Sequence, residues 1–375
     1  METADYIVIG GGMAGVSVAA ELSASASVIV LEAEERIGVH ATGRSAALFS
    51  EMYGNRVVRA LTRASREMLF APPAGFAEVP LVRPRAVMFV AGSGQVEHLH
   101  TFAALPDVRP HVDDLDLAEA LRLFPPLRPE WLAAALLERA SSDIDVDALH
   151  NGYFRWFKRN GGELRTERRI DALSYEAGFW TIRAGEHVHR TPIVINAAGA
   201  WADEIAALAG AAKIGLQPYR RTAVLVEPPP GAVVTDWPMV IDIDEQFYIK
   251  PDAGLLLLSP ADETAVEPGD AQPEEWDIAV AVDRVGTVAD IPVRSIRRSW
   301  AGLRSFVADR TPVIGFAATP GFFWLAGQGG YGIQSAPAMA RMAAALVRGL
   351  PVPADIVAQG IGEADLSPHR FPGKD

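Results

Sequence analysis

The stretch Asp5-Tyr6-Ile7-Val8-Ile9-Gly10-Gly11-Gly12-Met13-Ala14-Gly15 decides the fold. Residues 6–9 are an apolar run of strand composition, residues 10–15 a glycine turn, and residues 16–23 have helical composition. At such a junction the pattern Gly10-x-Gly12-x-x-Gly15 permits a tight turn and brings backbone N–H groups close to a pyrophosphate. It also lets the helix pack tightly on the strand and aim its positive end at phosphate charge. A second apolar run, residues 28–31, ends at Glu32, 22 residues after Gly10, where a carboxylate accepts hydrogen bonds from the ribose of an adenosine. The five residues Gly10, Gly12, Met13, Ala14 and Gly15, with Glu32, are therefore expected against a dinucleotide, in an α/β Rossmann-type fold.

Composition narrows the class. The 375 residues are 49% hydrophobic and 22% charged, which excludes a disordered or fibrous chain. Lys+Arg of 34 against Asp+Glu of 47 gives 34 − 47 = −13, and no basic run is present, so nucleic acid is not an expected partner. Without cysteine there is no disulfide, thiolate metal site, cysteine nucleophile or cysteinyl tether, and redox chemistry needs a borrowed cofactor. The longest uncharged stretch, residues 311–340, is interrupted by Pro312, Pro320, Pro337 and six glycines, so it predicts protein-buried chain and no transmembrane segment. Met1-Glu2-Thr3-Ala4-Asp5 carries two acids and no basic stretch, the reading of a cytoplasmic start, with a peripheral place at the inner membrane left open.

Further along, helical signals dominate residues 41–70, and Pro72-Pro73-Ala74-Gly75 breaks the chain. Residues 86–91 read as a strand, and residues 116–123 and 131–137 as amphipathic helices. Residues 170–174, 179–183 and 187–189 form a meander, and residues 193–196 read as a return to the parallel sheet. Residues 222–259 are strand-rich, with 248–254 as a turn. Residues 260–282 read as an acidic, proline-rich surface loop, and a helix is expected over about 336–348. Two interleaved domains follow: 1–75, 140–215 and 305–375 as a dinucleotide domain of parallel sheet plus β-meander, and 76–139 and 216–304 as an α+β substrate domain.

Two other small-residue segments separate FAD from NAD. Ala41, Thr42, Arg44, Ser45, Ala46 and Ala47 would let backbone approach a bulky ring and its diphosphate. Gly327 to Gln334 precede the last helix, whose positive end would face the anionic edge of a reduced flavin. With Val194-Ile195-Asn196-Ala197-Ala198-Gly199-Ala200-Trp201, these strings resemble the D-amino-acid oxidase family of FAD-dependent oxidoreductases, over nearly the whole chain. Residues 246–254 and 300–309 are most similar to bacterial D-arginine dehydrogenase.

That resemblance implies non-covalent FAD held by the residues already named together with Ala198, Gly199, Trp201, Gly302, Gly329, Gly330, Tyr331, Gly332, Ile333 and Gln334. It implies oxidation of a D-amino acid to the imino acid, then hydrolysis to a 2-oxo acid and ammonia. The carboxylate clamp maps to Tyr53, Arg221, Tyr248 and Arg304, with Arg220 adjacent and the choice within that pair left open; the substrate amine maps to a glycine carbonyl within 330–332. Where the relative reads a distal guanidinium with glutamate this chain has Val87, and Leu48 replaces a histidine. A pocket of Leu48, Met52 and Val87 predicts apolar D-amino acids, with D-arginine a poor substrate. Glu78 reads as a surface acid.

Two rival readings stand beside this one: an oxidase or dehydrogenase of N-methyl or cyclic secondary amino acids of the sarcosine, glycine or proline type, and a non-catalytic flavoprotein. The electron acceptor, oxygen or a quinone-like molecule, is left open. His98-x-His100 and His187-x-His189 read as exposed strand histidines with no accompanying carboxylate cluster, so no metal is expected. His40 is expected to pack near the flavin diphosphate. No G-x-S-x-G or H-E-x-x-H pattern occurs.

Overall fold

The structure, a computed structural model, describes residues 1–371; the last four positions of the expected 305–375 segment lie outside the described residues. Its centre is a six-stranded sheet in the order Glu163–Arg165, Val28–Leu31, Tyr6–Ile9, Ile193–Asn196, Phe322–Ala326, Val313–Phe316, parallel except for the last strand. The inner strands Val28–Leu31, Tyr6–Ile9 and Phe322–Ala326 are apolar because both faces are covered, while the edge strand Glu163–Arg165 carries two charges. Successive side chains take opposite sides: Val8, Val30, Ile195 and Phe323 meet a helical layer, while Ile7, Ile9, Ile29, Val194 and Trp324 meet the meander.

The helical layer is Met13–Ser23, Val146–Arg159 and Gly332–Val347. The meander is a four-stranded sheet of Glu2–Thr3, His187–Thr191, Phe179–Ala184 and Ala172–Glu176. Close packing at the opening turn depends on glycine. A Cβ on Gly15 would lie 1.8 Å from the Gly10 carbonyl oxygen, so helix and turn could not approach as they do.

A second, nine-stranded sheet is assembled from two separated stretches of chain, residues 87–138 and 217–306. The long strands Gln217–Val226 and Ile296–Phe306 pair antiparallel with Tyr219 opposite Arg304 and Arg221 opposite Gly302. One face buries Val224, Val240 and Leu258 beneath the helix Glu275–Val288. The other presents Val87, Phe89, Met239 and Tyr248 to the first unit.

Several expectations are corrected. Residues 131–137 are not a helix: Ala134–Glu138 is a strand between Val87–Ala91 and Asp113–Leu115, and its neighbours on both sides override the helical bias of its alanines and leucines. His98 and His100 lie on the helix Val96–Ala103, so they do not share one strand face. Helix Glu275–Val288 begins inside the stretch read as a loop, and Tyr248–Asp252 is a strand whose turn is confined to Ala253 and Gly254. Within residues 41–70 only Arg56–Phe70 is helical, capped by the Asn55 side chain. The helix expected over 336–348 starts at Gly332, with Pro337 inside it, and the short helices Ala354–Ala358 and Glu363–Leu366 follow it. Glu78 is exposed.

Gly15→Ala is expected to cost about 3 kcal/mol of folding stability, the upper range for overpacking. Urea denaturation checks this, and an unchanged midpoint would show that the turn has room to relax.

Candidate functional site

Two cavities meet at Arg221, which lines both. The first opens where Tyr6–Ile9 passes into Met13–Ser23. Gly12 at the N-cap of this helix has no side chain to close it, and the floor beside the helix end is kept bare by glycine. Glu32 braces the turn: one carboxylate oxygen accepts the Gly11 N–H at 2.7 Å and the other the Glu34 N–H at 2.9 Å. Thr42 Oγ1 accepts the Met13 N–H at 3.0 Å. From the helical layer, His150 Nε2 reaches the Gly11 carbonyl at 3.0 Å, so the imidazole donates; burial lowers its pKa and keeps it neutral.

Gly10, Gly12, Met13, Ala14, Glu32, Ala41, Thr42, Arg44, Ser45, Ala46, Ala198, Gly199, Trp201, Gly302, Gly329, Gly330, Gly332 and Ile333 all line this first cavity. Gly15 packs beneath it on Gly10, and Ala47 packs against the helical core. Tyr331 faces the second cavity, and Gln334 is buried, accepting the Ser50 N–H at 3.1 Å. Arg44 is not free for a diphosphate: its guanidinium pairs with Asp270 and donates to the Ala271 and Ala301 carbonyls at 2.6 and 3.0 Å. His40 stacks on Trp201 at 4.7 Å and bonds Glu34 at 3.0 Å. Arg168 and Arg169, which the sequence reading did not single out, also line the cavity.

The second cavity, about 710 Å³, is walled by Met52, Tyr53, Phe89, Ile241, Glu245 and Tyr331 among others. Alternation along Gln217–Val226 separates the two adjacent arginines. Arg220 turns away to Asp277 at 2.9 Å and to Glu274, whereas Arg221 points inward, donating to the Asp262 carbonyl at 2.8 Å and to Glu263 at 3.1 Å. Tyr248 and Arg304 line the first cavity and Tyr53 the second. Arg304 donates to the Tyr53 hydroxyl at 2.8 Å and, among the described residues, forms no ion pair. Burial raises the Tyr53 pKa against the pull of Arg304, so the phenol keeps its proton and can pass it on as a donor. Leu48 and Val87 line neither cavity; they belong to the apolar cluster behind the wall, with Met52 and Tyr248.

The sequence reading missed Glu138, 1% exposed at the end of Ala134–Glu138. Its carboxylate accepts the Ser50 hydroxyl at 2.6 Å and the Glu51 N–H at 2.9 Å. Burial, only partly offset by these donors, pushes its pKa up to about 7. A buried acid on a strand carries no sequence signal of its own.

Residues 5–346 match the family described as FAD dependent oxidoreductase. The chain belongs to that family. FAD is its cofactor, and the bare glycine floor, the uncapped helix end and the Glu32 carboxylate suit an adenine dinucleotide. Over 224 residues this FAD-dependent oxidoreductase is 26% identical to hydrogen cyanide synthase subunit HcnC of Pseudomonas aeruginosa, covering 58% of this chain and 51% of that one. The chain spans about half the length, or less, of the curated relatives it matches. Glycine oxidase from Geobacillus kaustophilus superposes with a TM-score of 0.84 at 20% identity, each chain covered 100%. L-proline dehydrogenase from P. horikoshii gives 0.79 at 22%, covering 99% of this chain and 98% of that one. No helix among the described residues is long and apolar enough to cross a membrane.

Two outcomes are expected. A Cβ on Gly330 would lie 2.9 Å from the Arg304 guanidinium carbon, so Gly330→Ala should displace Arg304 and weaken binding of a carboxylate ligand about tenfold or more. Competitive titration with benzoate, followed in the flavin spectrum, measures it. Glu138 has a folded pKa raised from 4.5 to about 7, so its contribution to stability is fully present below pH 4.5 and lost as pH rises to 7. The loss is on the order of 3 kcal/mol. Urea midpoints across that window should fall more steeply in wild type than in Glu138→Gln, and parallel slopes would refute the raised pKa.

Proposed function

We propose that the protein oxidises the Cα–N bond of a small α-amino acid, a D-amino acid with an apolar side chain, giving the imino acid and then 2-oxo acid and ammonia. The observation that carries this reading is Arg304: a guanidinium enclosed beside the cofactor cavity, given a phenol and no acid as partner. Such a cation is incomplete until an anion arrives, and a substrate carboxylate supplies it with two parallel hydrogen bonds. Tyr53, relieved of accepting duty by the Arg304 N–H, turns its own proton toward the same carboxylate. Arg221 and Tyr248 close the other side.

FAD, when held in the cavity lined by Gly10, Gly12, Glu32 and Gly330, would supply the hydride acceptor. The chain's task is to present Cα–H at the right distance and to exclude water. No side chain needs to act as a strong base if the amine enters neutral. Met52, Phe89 and Ile241 in the second cavity support an apolar side chain. Most acids at its rim are engaged: Asp242 with Gln95, Asp244 with His98, Asp262 with Thr222, and Glu263 with Arg310. Glu245 is the exposed exception.

A second reading, a glycine-type or cyclic secondary amino acid, is favoured by the fold likeness to a glycine oxidase and an L-proline dehydrogenase. The clamp reads the carboxylate and not the configuration at Cα.

Anaerobic addition of D-leucine, D-proline, sarcosine and D-arginine separates these readings. Bleaching of the flavin by D-leucine and not by D-arginine is expected. Bleaching by sarcosine or proline alone would favour the second reading, and bleaching by D-arginine would point to the rim acids as readers of a cation. Arg304→Ala should raise KM about 10²-fold, the loss of a bidentate charged contact. An unchanged KM would sink the clamp assignment.

A further inference from the structure

Glu138 stands outside the carboxylate clamp, yet every hydrogen bond its carboxylate makes goes to the turn that carries a clamp residue. The Ser50 hydroxyl donates to it at 2.6 Å and the Glu51 N–H at 2.9 Å. Ser50 in turn organises the chain ahead of it: its hydroxyl oxygen receives the Met52 N–H at 3.3 Å and its carbonyl the Tyr53 N–H at 3.5 Å. From the other side, Gln334 on the helix Gly332–Val347 accepts the Ser50 N–H at 3.1 Å. Residues 50–53 are thus pinned between the large sheet and that helix, and Tyr53 emerges from that turn to meet Arg304 at 2.8 Å.

We infer that Glu138 is a positioning residue: its buried carboxylate fixes the turn at residues 50–53 so that the Tyr53 hydroxyl stands on the Arg304 guanidinium and faces the incoming substrate carboxylate. The inference rests on the proposed reading of Tyr53 and Arg304 as the clamp.

An acid is costly at such a place. On the neighbouring strand the residue opposite Glu138 is Val87, fully buried and apolar. No Lys, Arg or His stands within ion-pair distance of Glu138 among the described residues. The charged group on its side is the Glu51 carboxylate, itself held by Arg66 at 3.0 Å and His111 at 3.3 Å, while the Ser141 hydroxyl donates to the Glu138 backbone carbonyl at 3.4 Å. If the position served packing alone, an apolar side chain would fill it at lower cost. What a carboxylate adds is two fixed acceptors, matched here by a hydroxyl and a backbone N–H of one turn.

The consequence for the reaction is specific. Loosening the turn frees Tyr53 to leave Arg304 without displacing the FAD cradle, since none of residues 50–53 lines the first cavity. The loss should therefore appear in capture of the carboxylate.

The experiment uses the FAD-loaded enzyme carrying Ser50→Ala, Glu138→Ala, Glu138→Gln or Tyr53→Phe. KM and kcat are measured with the amino acid that bleaches the wild type, and the benzoate Kd is read from the flavin spectrum. Ser50→Ala and Glu138→Ala should raise KM and benzoate Kd about tenfold, one charged or bridging hydrogen bond, with kcat lowered less and FAD content unchanged. Glu138→Gln, which keeps one acceptor oxygen, should recover most of the loss, and Ser50→Ala should add nothing to Tyr53→Phe. If Glu138→Ala does not fold, Ser50→Ala carries the test, since it removes only a hydroxyl. Weakened binding in Tyr53→Phe with wild-type binding in Ser50→Ala, and in Glu138→Ala where it folds, would overturn the positioning role alone. Wild-type KM and benzoate Kd in Tyr53→Phe would overturn the clamp reading and this inference with it.

Discussion

The Arg304 guanidinium lies against the α-carbon of Gly330, so close that a Cβ there would come within 3.0 Å of three of its atoms. Three segments remote in sequence must agree for that contact to exist. The strand Ile296–Phe306 supplies the arginine, the glycine loop before Gly332–Val347 supplies the surface it rests on, and the turn at residues 50–53 supplies the phenol it donates to. Enclosing a guanidinium without an anion costs several kcal/mol. The fold tolerates that cost only because both sheets and the helix Gly332–Val347 hold the surroundings fixed, which leaves the cation ready for a ligand and unable to turn elsewhere.

The neighbouring arginines show how charge is graded toward that point. Arg220 is neutralised by Asp277 and Glu274, and Arg44 by Asp270. Arg221 is neutralised in part, since it shares Glu263 with Arg310, which lies over the Phe306 ring at 3.9 Å. Among the described residues Arg304 makes one side-chain hydrogen bond, to Tyr53, and no ion pair, so of these guanidinium groups it is the least compensated. Arg221 lines both cavities while paired with Glu263.

What was legible in the sequence was local. The strand, glycine turn, helix and second strand ending at Glu32 are set by contacts within about thirty residues, and the structure places them as read. What was hidden depends on partners far along the chain. Residues 134–138 have the composition of a helix and become a strand because Val87–Ala91 and Asp113–Leu115 flank them. Arg220 and Arg221 are indistinguishable as letters and are separated only by strand alternation against Asp277 on one side and the cavity on the other. Arg44 sits in a cofactor-like segment, yet a loop more than two hundred residues away claims its charge. Glu138 had no pattern to reveal it.

The specificity argument also changes once the sheet is seen. Where the resembled enzyme has a glutamate that reads a distal guanidinium, this chain has Val87, and the strand register sets Glu138 directly opposite it. Directly opposed residues project to the same face of a sheet, about 5 Å apart, so an acid does stand beside position 87. Its oxygens, however, are occupied by the Ser50 hydroxyl and the Glu51 N–H, and it is 1% exposed. Held there and shut off from the cavity, it is not placed to solvate a substrate cation. The apolar preference proposed above therefore rests less on the loss of an acid than on where the remaining acid is buried.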